Sequence, residues 1–312
     1  MTQPAQTHRA LVTGATGYLG SHLAERLVRD GWHVDAVVRP TSSLRALDGV
    51  IETFRIHRHD GTTEQLAEIV SSSAPDIVFH LAAYYRAEHV PAEIVPMLQS
   101  NVLFPTQLAQ AMATNRVSRL INIATGWQHY GGAAYSPVNL YAATKQAFED
   151  ILQYYVEAQD LRVITLTLFE TYGPDDPRTK LLRALAIAHR IEAPLEMSPG
   201  EQQIDLLHID DAIEGILVAA RRLLDNSVDG HERYVLSGGS PLSVRDVVAL
   251  VQHATGLAIP VKWGTRSYRQ RERFSPWRDG KALPGWRPKI ELARGIGDAF
   301  KAIVQSITTR QS

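Results

Sequence analysis

The sequence predicts an α/β fold: a doubly wound parallel sheet joined to a smaller C-terminal α+β domain. Three observations point there. Through residue 170, short apolar runs alternate with longer helical patterns. A glycine-rich turn separates the first apolar run from the first helical pattern. After residue 174 this rhythm gives way to helices joined by very short apolar pieces.

The strands expected in order are "RALVT" (9–13), "HVDAVV" (33–38), "TFRIH" (53–57), "DIVFHLA" (76–82), "RLINIA" (119–124) and "RVITLTLF" (162–169). Several are apolar on both faces, as strands covered by helices on both sides should be. Helical patterns fall between them at 18–30, 63–72, 91–114 and 138–159. Beyond "TYGP", helices are expected at 179–191, 210–224, 243–255 and 290–307, with "DLLHI" (205–209) and "RYVLS" (233–237) between them. Residues 257–289, rich in Arg, Pro, Trp and Gly, read as irregular. A dinucleotide-binding domain is therefore expected over 1–170, rejoined by 205–236. A substrate-binding domain is expected over 171–204 and 237–312.

The chain can bury a large core, and its 45% apolar content is that of a globular protein. A formal net charge of −1, without runs of one sign, gives no electrostatic footprint for nucleic acid or an anionic membrane. With no cysteine there is no disulfide framework, thiolate metal site or thiol nucleophile. No metal site is expected. The polar start "MTQPAQTHRALVTG" lacks a leader pattern and no run is long enough to span a membrane. A cytoplasmic location is the expectation.

In "LVTGATGYLG" (11–20), Gly14, Gly17 and Gly20 recur every third residue between a strand and a helix. Gly14 permits the tight turn, Gly17 the approach of a pyrophosphate, and Gly20 close helix–strand packing. Free N–H groups at the helix start then face the phosphates. Thr16, Tyr18 and Leu19 share the loop and are expected at the cofactor. This is the arrangement of a Rossmann dinucleotide site. The acid that holds a ribose 2′-OH normally ends the second strand. Here the strand ends Val37-Val38-Arg39, and Asp35 lies mid-strand. Arg39 suits a 2′-phosphate, so NADP(H) is the expected cofactor. Ser42 and Ser43 either add hydroxyl donors or form a polar turn.

"NLYAATKQAF" (139–148) sets Tyr141 and Lys145 four residues apart, on one face of a helix. Alone, the spacing describes an exposed polar stripe equally well. Behind a dinucleotide loop it describes a phenol that protonates a ketone oxygen. An adjacent ammonium is expected to lower the phenol's pKa. Thr125, ending "INIAT", supplies a second hydroxyl to the same oxygen.

Together, "TGATGYLG", "HLAA" (80–83), "NLYAATK", "TYGP", "HIDD" (208–211) and "LPGWRPKIELARGI" (283–296) resemble the extended short-chain dehydrogenases/reductases of the NAD-dependent epimerase/dehydratase group. "ATGWQHY" and "VNLYAATKQAFEDI" look most like nucleotide-linked 4-keto-6-deoxyhexose reductases of the CDP-abequose synthase type. The resemblance implies that Asp60 and Gly61 meet the adenine. It implies that Leu81, Ala82 and Ala83 line the dinucleotide, with Leu168 and Thr171 near it. Thr125, Tyr141 and Lys145 become the catalytic trio. Three departures matter. The usual hydroxyl position falls on Gly126, one residue past Thr125. Gly126 and Trp127 stand where dehydratases carry an acid pair. Ile204 replaces a familiar substrate arginine.

Diphosphate contacts are sought among Arg178, Lys180, Arg271 and Arg273. Sugar contacts are sought among Tyr84, Tyr85, Trp127, His129 and Glu170, which lie at or just past strand C-termini. Each cation reads equally as a solvated surface charge, and His129 equally as a loop residue. The expected activity is NADPH-dependent reduction of the 4-keto group of a CDP- or dTDP-linked 6-deoxysugar by a homodimer. The alternatives are an epimerase retaining NAD, a reductase of a non-nucleotide ketone, and a non-catalytic NADP(H) sensor.

Overall fold

The computed structural model describes residues 7–309; the polar lead-in at 1–6 and the last three residues lie outside the described residues. The chain opens with β1 (Arg9–Thr13), α1 (Tyr18–Arg29), β2 (His33–Val38), β3 (Phe54–Arg58), α2 (Thr63–Ser73) and β4 (Ile77–His80). Then come α3 (Ile94–Leu98), α4 (Phe104–Thr114), β5 (Arg119–Thr125), α5 (Leu140–Gln159), β6 (Arg162–Leu168), β7 (Glu170–Tyr172), α6 (Leu181–Ile191), β8 (Leu195–Glu196), β9 (Gln203–Ile204), β10 (Leu206–His208) and α7 (Ile209–Leu224). The rest is β11 (His231–Leu236), β12 (Leu242–Ser243), α8 (Val244–Thr255), β13 (Val261–Lys262) and α9 (Leu292–Thr309).

Seven strands form one sheet in the order β11-β6-β5-β4-β1-β2-β3. Every pairing in it is parallel. The order reverses at β1, between β2 and β4, and a doubly wound sheet opens its ligand crevice at that switch point. The strands are buried on both faces, which explains their unbroken apolar runs. One core cluster packs α1 and α7 on the sheet, and a second packs α2, α4 and α5 on the other face. A third cluster joins α6, α8 and α9 away from the sheet. No helix among the described residues is long and apolar enough to cross a membrane.

Local signals set the helix ends. Thr62 Oγ1 accepts from Gln65 N to start α2, Asn139 Oδ1 from Ala142 N to start α5, and Ser243 Oγ from Asp246 N to start α8. The single helix expected over 91–114 is broken. A π-turn over Gln99–Leu103 separates α3 from α4. Pro105 has no N–H to offer the carbonyl four residues back. Asn101, in that turn, bonds Tyr84 N, Tyr84 O and Thr144 Oγ1 instead.

Between β11 and α9 the chain is irregular apart from β12, α8 and β13. The "HIDD" and "LPGWRPKI" stretches meet there. The Asp211 carboxylate accepts from Lys289 N and Ile290 N, and Trp286 Nε1 donates to the Asp211 carbonyl. These motifs fasten the C-terminal segment to the start of α7.

Candidate active site

At the switch point lies a cavity of about 630 Å³ whose walls include Gly14, Thr16, Gly17, Arg39, Ser42, Asp60, Gly61, Leu81, Ala82, Ala83 and Tyr84. The glycines are there because no side chain fits. A Cβ at Gly14, whose φ is +74°, would sit 2.6 Å from Ala82 N; one at Gly20 would sit 2.1 Å from the Gly14 carbonyl oxygen. Gly17 caps α1 without a side-chain bond. The first-turn N–H groups of α1 therefore have no intrahelical acceptor. An open cavity, a glycine cradle and an uncapped positive helix end suit a dinucleotide pyrophosphate.

Some expected contacts are otherwise engaged. The Tyr18 hydroxyl donates to the Pro174 carbonyl, and the Arg178 guanidinium lies 4.5 Å over its ring. Leu19 packs on the core. The Asp60 carboxylate accepts from Thr62 N and Thr62 Oγ1, which holds its pKa below the ordinary value. Ser43 Oγ accepts from Arg45 N, the polar-turn alternative. Leu168 is core, paired in register with Thr125. Thr171 is buried and accepts from Arg178 through both Oγ1 and its carbonyl. Gln99, Ser100, Phe104 and Gln107 also line the cavity and were not anticipated. They come from the broken helix, whose π-turn no periodicity reveals.

The residues expected to react, Thr125, Tyr141 and Lys145, are not among those of the cavity wall. Thr125 ends β5, and its Oγ1 accepts from Trp127 N at 3.3 Å. That bond uses a lone pair and leaves the hydroxyl hydrogen free to donate. The one-residue shift to Thr125 has a steric basis. A Cβ at Gly126 would lie 2.3 Å from the Phe169 ring and 3.0 Å from an Arg273 guanidinium nitrogen. Tyr85 frames the phenol: its ring meets Tyr141 edge-on at 5.1 Å and Trp127 at 5.6 Å.

The electrostatics correct one expectation. Burial, reinforced by the Glu170 carboxylate, pushes the Tyr141 phenol above its ordinary pKa. Burial pulls the Lys145 ammonium down to about 8, with the Glu149 carboxylate resisting. Desolvation by the half-buried helix outweighs the lowering expected from a neighbouring cation. Tyr141 thus rests as a neutral acid.

The cations expected to grip a diphosphate are partly committed. Arg178 is bidentate to Asp176 and Lys180 Nζ donates to Glu170 Oε2 at 2.6 Å. Burial works against the Glu170 carboxylate, but Lys180, Arg178 and Arg273 hold its pKa below the ordinary value. Arg271 donates to Ser136 Oγ and lies over the Tyr130 ring; the buried Arg273 donates to the Gly126 carbonyl and lies over Phe169. Neither of these two has a hydrogen-bonded carboxylate among the described residues. His129 stacks on Trp277 at 3.6 Å, and its Nδ1 donates to the Ala134 carbonyl, so its observed contacts are those of a loop residue.

Comparison with known proteins gives the family. The model of the NAD dependent epimerase/dehydratase family matches residues 10–235. The CDP-abequose synthase of Yersinia pseudotuberculosis is 27% identical over 86% of this chain and 91% of its own length. The UDP-glucose 4-epimerase of Mycolicibacterium smegmatis is 26% identical, covering 92% and 96%. The solved UDP-glucuronic acid 4-epimerase of Bacillus cereus, in complex with UDP-glucuronic acid and NAD, superposes with a TM-score of 0.84. That match is 22% identical and covers 95% of this chain and 99% of that one.

Proposed function

The chain belongs to the NAD dependent epimerase/dehydratase family, and from that premise we propose that it is an NADPH-dependent 4-ketoreductase of a nucleotide-linked 6-deoxysugar. It is an enzyme of the short-chain dehydrogenase/reductase type and binds a nicotinamide dinucleotide. In this reading 1–170, rejoined by 205–236, binds the dinucleotide. Residues 171–204 and 237–312 bind a CDP- or dTDP-linked sugar. A second copy packs on the α3–α5 face, where Val95, Leu98, Leu103 and Tyr154 are exposed.

The observation that carries the reading is the end of β2, where Arg39 stands exposed on the cavity wall in the place expected for a ribose-binding carboxylate. The reduced cofactor supplies a hydride. Oxygen charge then builds on the carbonyl, and Tyr141 and Thr125 donate to it. A neutral phenol is the form that can give a proton. Gly126 and Trp127, not an acid pair, follow Thr125 in the chain, which argues against dehydration. The rival epimerase reading has its own support in the M. smegmatis relative and the NAD-bound B. cereus structure.

The test is stoichiometric. With a CDP- or dTDP-linked 4-keto-6-deoxyglucose, reduced cofactor should be consumed mole for mole with appearance of the 4-hydroxy sugar. The parent nucleotide-glucose should remain unchanged. Interconversion of two sugars without net NADPH loss would establish the epimerase instead.

Cofactor choice in this reading rests on Arg39, exposed on the cavity wall at the end of β2. A hydrogen bond to a charged group contributes about 1.5–3 kcal/mol, roughly one to two decades of affinity. Arg39→Ala should weaken NADPH by that factor and leave NADH nearly unchanged. Equal losses for both, measured by titration, would remove Arg39 from the 2′-phosphate.

A further inference from the structure

We propose that Gln128 and Glu149 are positioning residues: a buried tether that ties the Thr125 strand end to the helix carrying Tyr141 and Lys145. The inference rests on the reading of those three residues as the reacting groups.

Gln128 is 2% exposed and Glu149 4% exposed, with neither in the cavity wall. The Gln128 side-chain oxygen accepts from the Thr125 backbone N–H at 3.0 Å. This bond fixes the orientation of the amide, since only its oxygen can accept. Its nitrogen then donates to Glu149 Oε1 at 2.7 Å and to Gln146 Oε1 at 2.8 Å. Both amide hydrogens and the carbonyl are used, so the side chain has one settled orientation. Glu149 lies one helical turn beyond Lys145 and two beyond Tyr141, on the same face of α5. Arg233 of β11 donates to its other oxygen at 3.3 Å. The main chain repeats the tie: Ser136 N donates to the Gln128 carbonyl and Val138 N to the Trp127 carbonyl, just before the Asn139 cap of α5.

A general packing role does not require this chain of bonds. Two hydroxyls that donate to one oxygen must keep a fixed separation, and they come from different elements, β5 and α5. The Gln128–Glu149 bond joins those elements directly. Glu149 also places a carboxylate where it supports the Lys145 ammonium. His80 of β4 also faces the Lys145 charge. Burial and the Lys145 ammonium hold His80 well below its ordinary pKa, so it stays neutral.

Two variants separate the halves. Gln128→Met keeps the volume and loses the bonds. It should lower kcat roughly 10- to 100-fold, the usual consequence of a small misplacement of reacting groups. KM and NADPH affinity should stay within about threefold. Glu149→Gln preserves an acceptor for Gln128 and removes the charge. The ammonium is present below its pKa and lost as pH rises through it, so loss of the charge should move the alkaline limb of the kcat profile to lower pH. The Lys145 side-chain NMR resonance, assigned by its absence in Lys145→Arg, should titrate at lower pH in step, with or without turnover. Unchanged kcat in Gln128→Met, or an unmoved Lys145 titration in Glu149→Gln, overturns the tether. If instead Thr125→Ala and Tyr141→Phe retain full activity, it is the underlying site reading that fails.

Discussion

Tyr141→Phe should reduce turnover by roughly three to four decades while NADPH still binds. In this reading the phenol hydroxyl hands a proton to the carbonyl oxygen, and general acid catalysis contributes about 10²–10⁴. Loss of its hydrogen bond to the developing charge adds to that. Fold and cofactor site should survive. The ring keeps its edge-on contact with Tyr85. The Tyr141 carbonyl, which accepts from Thr144 Oγ1, is untouched. The glycine cradle lies on another element. Single-turnover mixing of NADPH-loaded variant with the keto sugar isolates the chemical step. A variant that keeps even a tenth of wild-type rate would show that another group donates the proton. The raised phenol pKa also shapes the wild-type profile. Tyr141 keeps its proton well past neutrality, so it should impose no alkaline limb there. The limb should come from Lys145, near pH 8, as its ammonium is lost.

The sequence carried most of this fold because the parallel sheet leaves a strong trace. Strands buried on both faces must be continuously apolar, and each expected strand of the first half forms within a few residues of its place. The glycine spacing was equally legible, since backbone atoms leave no room for a Cβ at Gly14 or Gly20. What escaped depends on contacts between distant segments. The π-turn at Gln99–Leu103 arises from Pro105 and from Asn101 reaching across to Tyr84 and Thr144. The direction of the Tyr141 shift depends on burial by the fold, to which the Glu170 carboxylate, 29 positions away in the chain, adds. The commitment of Arg178 to Asp176 was written two residues apart, yet an arginine near an aspartate in a loop does not reveal a bidentate pair. Gln128 lies within "ATGWQHY" (124–130). A lone glutamine has no signature, and only the three buried partners at its amide reveal what it holds.

Gly20→Ala should cost the protein both its cofactor and part of its stability. The added methyl would meet the Gly14 carbonyl oxygen at 2.1 Å, the Gly14 carbonyl carbon at 2.7 Å and Ala15 Cα at 3.0 Å. All three are backbone atoms, so no side chain can swing aside. The first turn of α1 must instead move off the end of β1. Overpacking of this kind typically costs about 1–3 kcal/mol, and a clash with main chain belongs at the upper end. The same displacement turns the uncapped N–H groups of α1 away from the phosphates. NADPH affinity should fall a hundredfold or more, about 2.8 kcal/mol at 1.4 kcal/mol per decade. Gly17→Ala offers a milder probe. Its Cβ would lie 3.3 Å from the same oxygen, so that variant should fold normally and bind more weakly. Gly49→Ala is the control, with nothing within 4 Å of the new methyl, and should be silent in both measurements. Denaturant unfolding and NADPH titration of the three variants give the ranking directly. Wild-type affinity in a folded Gly20→Ala protein would mean that the dinucleotide does not lie on this loop.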